Sequence, residues 1–158
     1  MERLNLRVLA RFAAIVVLTC LCPTKTQAGD SRAFLFDANY AKPLRWNVGA
    51  SLFFSHAFSN EGRGGPIVGG GVGAGGMQAW GGMALLSDVG GGDVRAVVTR
   101  TWDNPRGASA DSTYVGGEVG WGWGLRVSVG YARRISGPST NSDHIITWSV
   151  GAEIPWFR

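Results

Sequence analysis

From Trp46 onward the chain alternates between apolar and small or polar residues. Trp46, Val48, Ala50, Leu52 and Phe54 share one parity, with Asn47, Gly49, Ser51, Phe53 and Ser55 between them. The pattern returns in Val68, Gly70, Val72 and Ala74, then in Met77, Ala79, Gly81, Met83 and Leu85. It continues in Val94, Ala96, Val98, Arg100 and Trp102, against Arg95, Val97, Thr99 and Thr101. Val115, Gly117, Val119, Trp121 and Trp123 follow, and then Leu125, Val127, Val129 and Tyr131. The last stretch is the cleanest: Ile146, Trp148, Val150, Ala152, Ile154 and Trp156 alternate with Ile145, Thr147, Ser149, Gly151, Glu153 and Pro155. A period of two predicts strands with one greasy and one thin face. Ile145 to Trp156 is 12 residues, long for an ordinary strand and right for a tilted crossing of a bilayer.

Turn-forming residues separate these runs. Ala57 to Gly65 reads as a loop, Gly75-Gly76 as a two-residue hairpin turn, and Asp88 to Asp93 as a glycine-rich turn. Asp103 to Asp111, a tight turn near Gly124, and Ser136 to Asp143 complete the set. Before Trp46 the pattern is poor; Ala33 to Phe36 reads as a short strand, and Arg32 to Asp37 is the only room for an eighth. No segment has helical periodicity. The fold class predicted is all-β, an antiparallel up-and-down meander β-barrel of about eight strands.

Volume decides which face is inside. An eight-stranded barrel has an interior just wide enough for side chains to fill it. Trp46, Trp102, Trp121, Trp123, Trp148 and Trp156 all fall on the apolar faces, and so many indoles do not fit within one narrow tube. They belong outside, facing lipid, where aromatic residues gather at membrane interfaces. The opposite faces are glycine, serine, alanine and threonine, with Arg95, Glu118, Arg126 and Glu153 expected as an ion-pair network in the lumen. A plugged interior and no open pore follow.

Residues 1–28 are set apart as a signal peptide. Arg3, Arg7 and Arg11 precede the apolar run Phe12 to Cys22, and Thr26-Gln27-Ala28 offers a small-residue cleavage site. The expected mature domain, 29–158, keeps neither cysteine. Its formal charge falls from +4 to about +1 once Glu2, Arg3, Arg7, Arg11 and Lys25 are removed. That removes the support for a nucleic-acid partner.

At this point the chain resembles the small outer-membrane β-barrel proteins of Gram-negative bacteria. The resemblance is carried by the alternation and by Trp148-Ser149-Val150-Gly151-Ala152-Glu153-Ile154-Pro155-Trp156-Phe157. Such a final strand is what these families present to the barrel-assembly machinery; family members end on the aromatic, whereas Arg158 follows here. The resemblance implies an outer-membrane location, contact with membrane lipid, and loops open to an extracellular ligand. The two tightest turns, Gly75-Gly76 and the one near Gly124, fall on opposite ends, although periplasmic turns should be short and share one end.

Candidate chemistry is sparse. Gly71-Val72-Gly73-Ala74-Gly75-Gly76 matches a dinucleotide fingerprint, but it runs through a strand into a hairpin with no helix after it. His56, with Ser59 and Asn60 close by, faintly resembles the site of the lipid A 3-O-deacylase barrels, which implies a His base and a Ser nucleophile for ester hydrolysis. That family places the two residues two apart near its C-terminus, a spacing and position not found here. Scattered aspartates lack metal-ligand spacing, so neither a metal nor a cofactor is expected. The function predicted is a structural or surface-interaction barrel that is not an enzyme. A His56/Ser59 hydrolase is one alternative, and a soluble exported barrel holding a small apolar ligand is the other.

Overall fold

A computed structural model describes residues 30–57, 62–87, 90–103, 105–138 and 143–157. The expected signal peptide lies outside the described residues. Eight antiparallel strands follow one another around a closed barrel: β1 (Asp30–Lys42), β2 (Arg45–Ala57), β3 (Gly62–Gly73), β4 (Gly76–Ser87), β5 (Gly90–Thr101), β6 (Thr113–Trp123), β7 (Leu125–Ser136) and β8 (His144–Phe157). Closure comes from β8 pairing with β1, from Ala33 opposite Phe157 to Lys42 opposite Trp148.

The register fixes the barrel's dimensions. The path of paired residues Asp30, His56, Gly64, Leu85, Gly92, Trp121, Val127, Val150 and Tyr40 circles the barrel once. It returns to β1 at residue 40 instead of 30, a shear of ten. With about 3.3 Å per residue and about 4.8 Å between strands, the strands tilt about 40° around a barrel of roughly 8 Å radius. A 12-residue strand such as β5 then spans about 30 Å along the axis.

Several boundaries differ from the sequence reading. The segment before Trp46 is a full strand of 13 residues, not the short Ala33–Phe36. Its alternation is blurred because Ala33 and Leu35, on the inner face, are themselves apolar and buried. β3 begins at Gly62 instead of Pro66, so much of the expected Ala57–Gly65 loop is strand. Pro66 is exposed within it, at a point where Phe54 and Ser55, paired with β1 on their other side, find no ladder partners in β3, as expected of a residue without an N–H. The hairpin turn is Ala74-Gly75, one residue earlier than expected, since Gly73 pairs with Gly76. Glycines 90–92 and Asp93 belong to β5 rather than to a turn.

The two ends are unequal. At one end β1 starts and β8 finishes, and the connections there are 58–61, 88–89 and Gly124. At the other, the loop end, two-residue turns at 43–44 and 74–75 stand beside the longer connections 102–112 and 137–143. Gly124 and Ala74-Gly75 thus do lie on opposite ends, yet every connection at the terminus end has four residues or fewer.

The interior is layered. Ala33, Leu35, Phe53, Ile67 and Ala84 form an apolar plug towards the terminus end, with Leu86 packed against it. A polar layer follows. Near the loop end, Ala108, Tyr114, Ala132 and Ile145 make a second apolar cluster. Outward positions are the reverse: Trp46, Met83, Val94, Trp121, Leu125, Ile146 and Ile154 are all more than half exposed.

Candidate functional site

The middle of the lumen is built around a carboxylate that the sequence reading placed in a turn. Asp93 points inward two residues before Arg95, and its oxygens lie 2.7 Å from Arg95 Nε and 2.8 Å from the Arg126 guanidinium. Arg126 Nε donates a second bond to Asp93 at 3.1 Å. Glu153 sits farther off, 3.9 Å from Arg95 and 3.8 Å from Arg126. Glu118 pairs with Arg95 in the β5–β6 ladder and accepts a hydrogen bond from Gln78 Nε2 at 3.3 Å. The four lumen charges named from the sequence therefore share one layer, with Asp93 as the group that joins the two arginines.

Asp37, Asn39 and Asn47 extend this layer towards the loop end. Asn39 Nδ2 donates to Asp37 at 2.7 Å, and Asn47 Nδ2 donates to Asn39 at 2.6 Å. One indole is also inside. Trp80 donates to Ser51 Oγ at 3.3 Å and lies under the Arg95 guanidinium, 5.5 Å from the ring. A side chain of this size fits because the strand opposite is glycine: a Cβ on Gly69 would stand 2.7 Å from the indole. The same device recurs, with Asp37 lying over Gly49, Arg126 over Gly120 and Glu118 over Gly130. The glycine fingerprint at 71–76 is thus accounted for by inward space and a turn.

The room left is small. Cavities of about 20 Å³ and 10 Å³ remain beside Asp37, Asn39 and Arg126, each about what one water needs. The loop end is capped as well. The 102–112 connection leaves β5 and crosses to the far wall, where Arg106 N donates to Pro43 O at 3.1 Å. Trp102 N donates to Gly75 O, and the Trp102 indole N–H to Ala74 O, each at 3.2 Å. Thr101 Oγ1 anchors the other side through Ser109 O and Ser112 O, at 2.7 and 3.0 Å.

Outside, the aromatic residues fall in levels. Projected on the axis with the dimensions above, Tyr40, Trp46, Tyr131 and Trp148 lie within about 4 Å of one height near the loop end. Tyr40 packs edge-on against Trp46 at 5.2 Å and tilted against Trp148 at 5.9 Å. Phe34, Phe54 and the backbones of Trp123 and Trp156 lie about 18 Å lower, with Trp121 between the two levels. Trp102, by contrast, is not on a strand wall; it packs on the rim. Arg100 and Arg133 stand about 5 Å beyond the upper aromatic level.

His56 is an exposed residue near the end of β2 at the terminus end, paired with Gly64 and Asp30. Ser59, its suggested partner, lies outside the described residues. Among the described residues no group of histidine, cysteine, aspartate and glutamate could hold a metal ion. The signal for the missed Asp93 was available: it has the parity of Arg95, and only the three glycines before it disguised the strand. Comparison with protein-family models, with curated proteins and with solved structures finds no match for this chain.

Proposed function

We propose that the protein is an outer-membrane β-barrel with a closed lumen, acting as a structural or surface-interaction element through its loop end. The observation that carries this is the inversion of polarity. Each of the eight strands turns at least one large apolar side chain outward with more than a third of its surface exposed, while ion pairs and amides fill the middle. An apolar exterior of this kind supports the reading that the outer surface faces lipid. The closed sheet leaves no unpaired edge in hydrocarbon. The filled, charged lumen disfavours both a diffusive pore and a soluble carrier with an apolar cavity.

Both long connections, 102–112 and 137–143, lie at the loop end; in this reading they are the extracellular loops of an outer-membrane barrel and the terminus end faces the periplasm. In the same reading β8, whose Ile146, Trp148, Val150 and Ile154 face outward, is the strand offered to the assembly machinery. The test is fractionation of the full chain expressed in a Gram-negative host. Retention in the outer membrane after a carbonate or urea wash is expected, together with faster gel migration before boiling than after. Recovery in the soluble fraction with no heat-dependent shift would overturn the proposal.

A further inference from the structure

We propose that a shallow groove on the outer wall over β1–β3, with Arg106 above it, binds one phosphate-bearing acylated lipid. The inference rests on the reading that this wall faces a membrane, and it names what occupies one part of it. The groove measures about 510 Å³ and is lined by Phe36, Val48, Ala50, Gly70 and Val72. Its floor exists because the paired outward residues Ala50, Gly70 and Ala79 are all small; Gly81, Ala96 and Gly117 form a similar small row farther round the wall, without Arg106 above it. This open depression offers an acyl chain an apolar surface, with no polar side chain among its lining residues.

The groove does not run on into empty wall. Some two to four residues further up β1 and β2, about 5–10 Å along the axis, stands the Tyr40–Trp46 pair. Arg106 reaches down from the 102–112 connection, donates to the Tyr40 hydroxyl at 2.5 Å and lies 5.7 Å from the centre of its ring. Its side chain is exposed, and Tyr40 takes one of the five N–H donors that a guanidinium offers. Lys42, which lines the lumen cavity, and Arg45 stand at the same end, and the connection carries Asp103 and Asp111, so with Arg106 this end of β1 and β2 keeps a single positive charge in excess. An apolar trough capped by an aromatic layer and a fixed guanidinium matches one molecule end to end. The acyl chain lies along Ala50 and Gly70, and the phosphate meets Arg106 at the level where headgroups sit.

The experiment uses the full chain refolded in detergent, with lipid adducts counted by native mass spectrometry. The probes are dioleoyl phosphatidic acid and dioleoyl phosphatidylcholine. Phosphatidic acid is expected to be retained about three- to fivefold better, the scale of one exposed charge-assisted contact. Arg106→Gln brings the two lipids close to parity. Ala50→Phe, which fills the floor from the outside, lowers both, and heat-dependent gel migration verifies that each variant is folded. Equal retention by the wild type, a preference that survives Arg106→Gln, or adducts unchanged in Ala50→Phe would overturn the proposal. A heat-modifiable barrel with no such preference refutes this site alone, whereas a chain that stays soluble without detergent refutes the membrane reading beneath it.

Discussion

Asp93→Ala is the substitution that most sharply tests the lumen. Asp93 is the shared acceptor of two buried guanidiniums, taking a hydrogen bond from Arg95 Nη2 at 3.2 Å and from Arg126 Nη2 at 2.8 Å. Glu153, nearly 4 Å from both, cannot replace it without moving. Removing one partner of a buried ion pair costs about 3–5 kcal/mol, because the remaining charge stays desolvated. Against a typical domain stability of about 5–15 kcal/mol this is a large share. At a urea slope of about 2 kcal/mol per molar, the unfolding midpoint falls by roughly 2 M. The assay is urea titration of the refolded protein, followed by tryptophan fluorescence and by gel mobility. Arg126→Met added to Asp93→Ala removes one stranded charge, so the double variant is more stable than the sum of the singles by about 2 kcal/mol. A loss below about 1 kcal/mol in Asp93→Ala, or strict additivity in the double variant, would refute the view that Asp93 holds this layer together.

Three further outcomes follow from the same geometry. Gly69→Val drives a branched side chain into the Trp80 indole and the Ala50 carbonyl, 2.7 and 2.6 Å from the first added carbon, and should cost about 1–3 kcal/mol in the same titration. Val94→Arg places a charge near the middle of the outer apolar band, on a side chain 63% exposed; in lipid vesicles it should cost about 2–4 kcal/mol, whereas a barrel in water would hardly notice it. Planar-bilayer recordings of the wild type should show no step conductance, since the cavities beside the ion cluster hold only about 20 and 10 Å³; discrete openings would contradict the plugged lumen.

Much of this barrel was legible because its walls are two-faced. Where Val, Trp and Leu alternate with Gly and Ser, as in β6 and β8, parity alone sorts the residues into two faces, and side-chain volume says which is inside. It failed where one face gave no contrast. In β1 the inner Ala33 and Leu35 are as apolar as the outer Phe34 and Phe36, so the strand shrank to four residues in the reading. At the start of β5 three glycines removed the contrast from both faces, and Asp93 was lost with them. Trp80 shows the limit of a volume argument made on averages: one indole does enter the lumen, because Gly69 and Gly71 on the neighbouring strand vacate the space. The cap at the loop end was beyond reach, since Arg106 meets Pro43 and Tyr40 only after the chain has crossed the mouth.

The most direct test of the lipid-facing wall is fluorescence quenching of single-tryptophan proteins, in vesicles of lipids brominated at chosen depths. Three positions suffice: Trp46 near the upper aromatic level, Trp121 in the middle of the band, and Trp80 inside the barrel. The account expects shallow bromines to quench Trp46 most, deep bromines to quench Trp121 most, and neither to reach Trp80. Quenching of Trp80 with Trp46 and Trp121 untouched, or no depth dependence at any of the three, would contradict it.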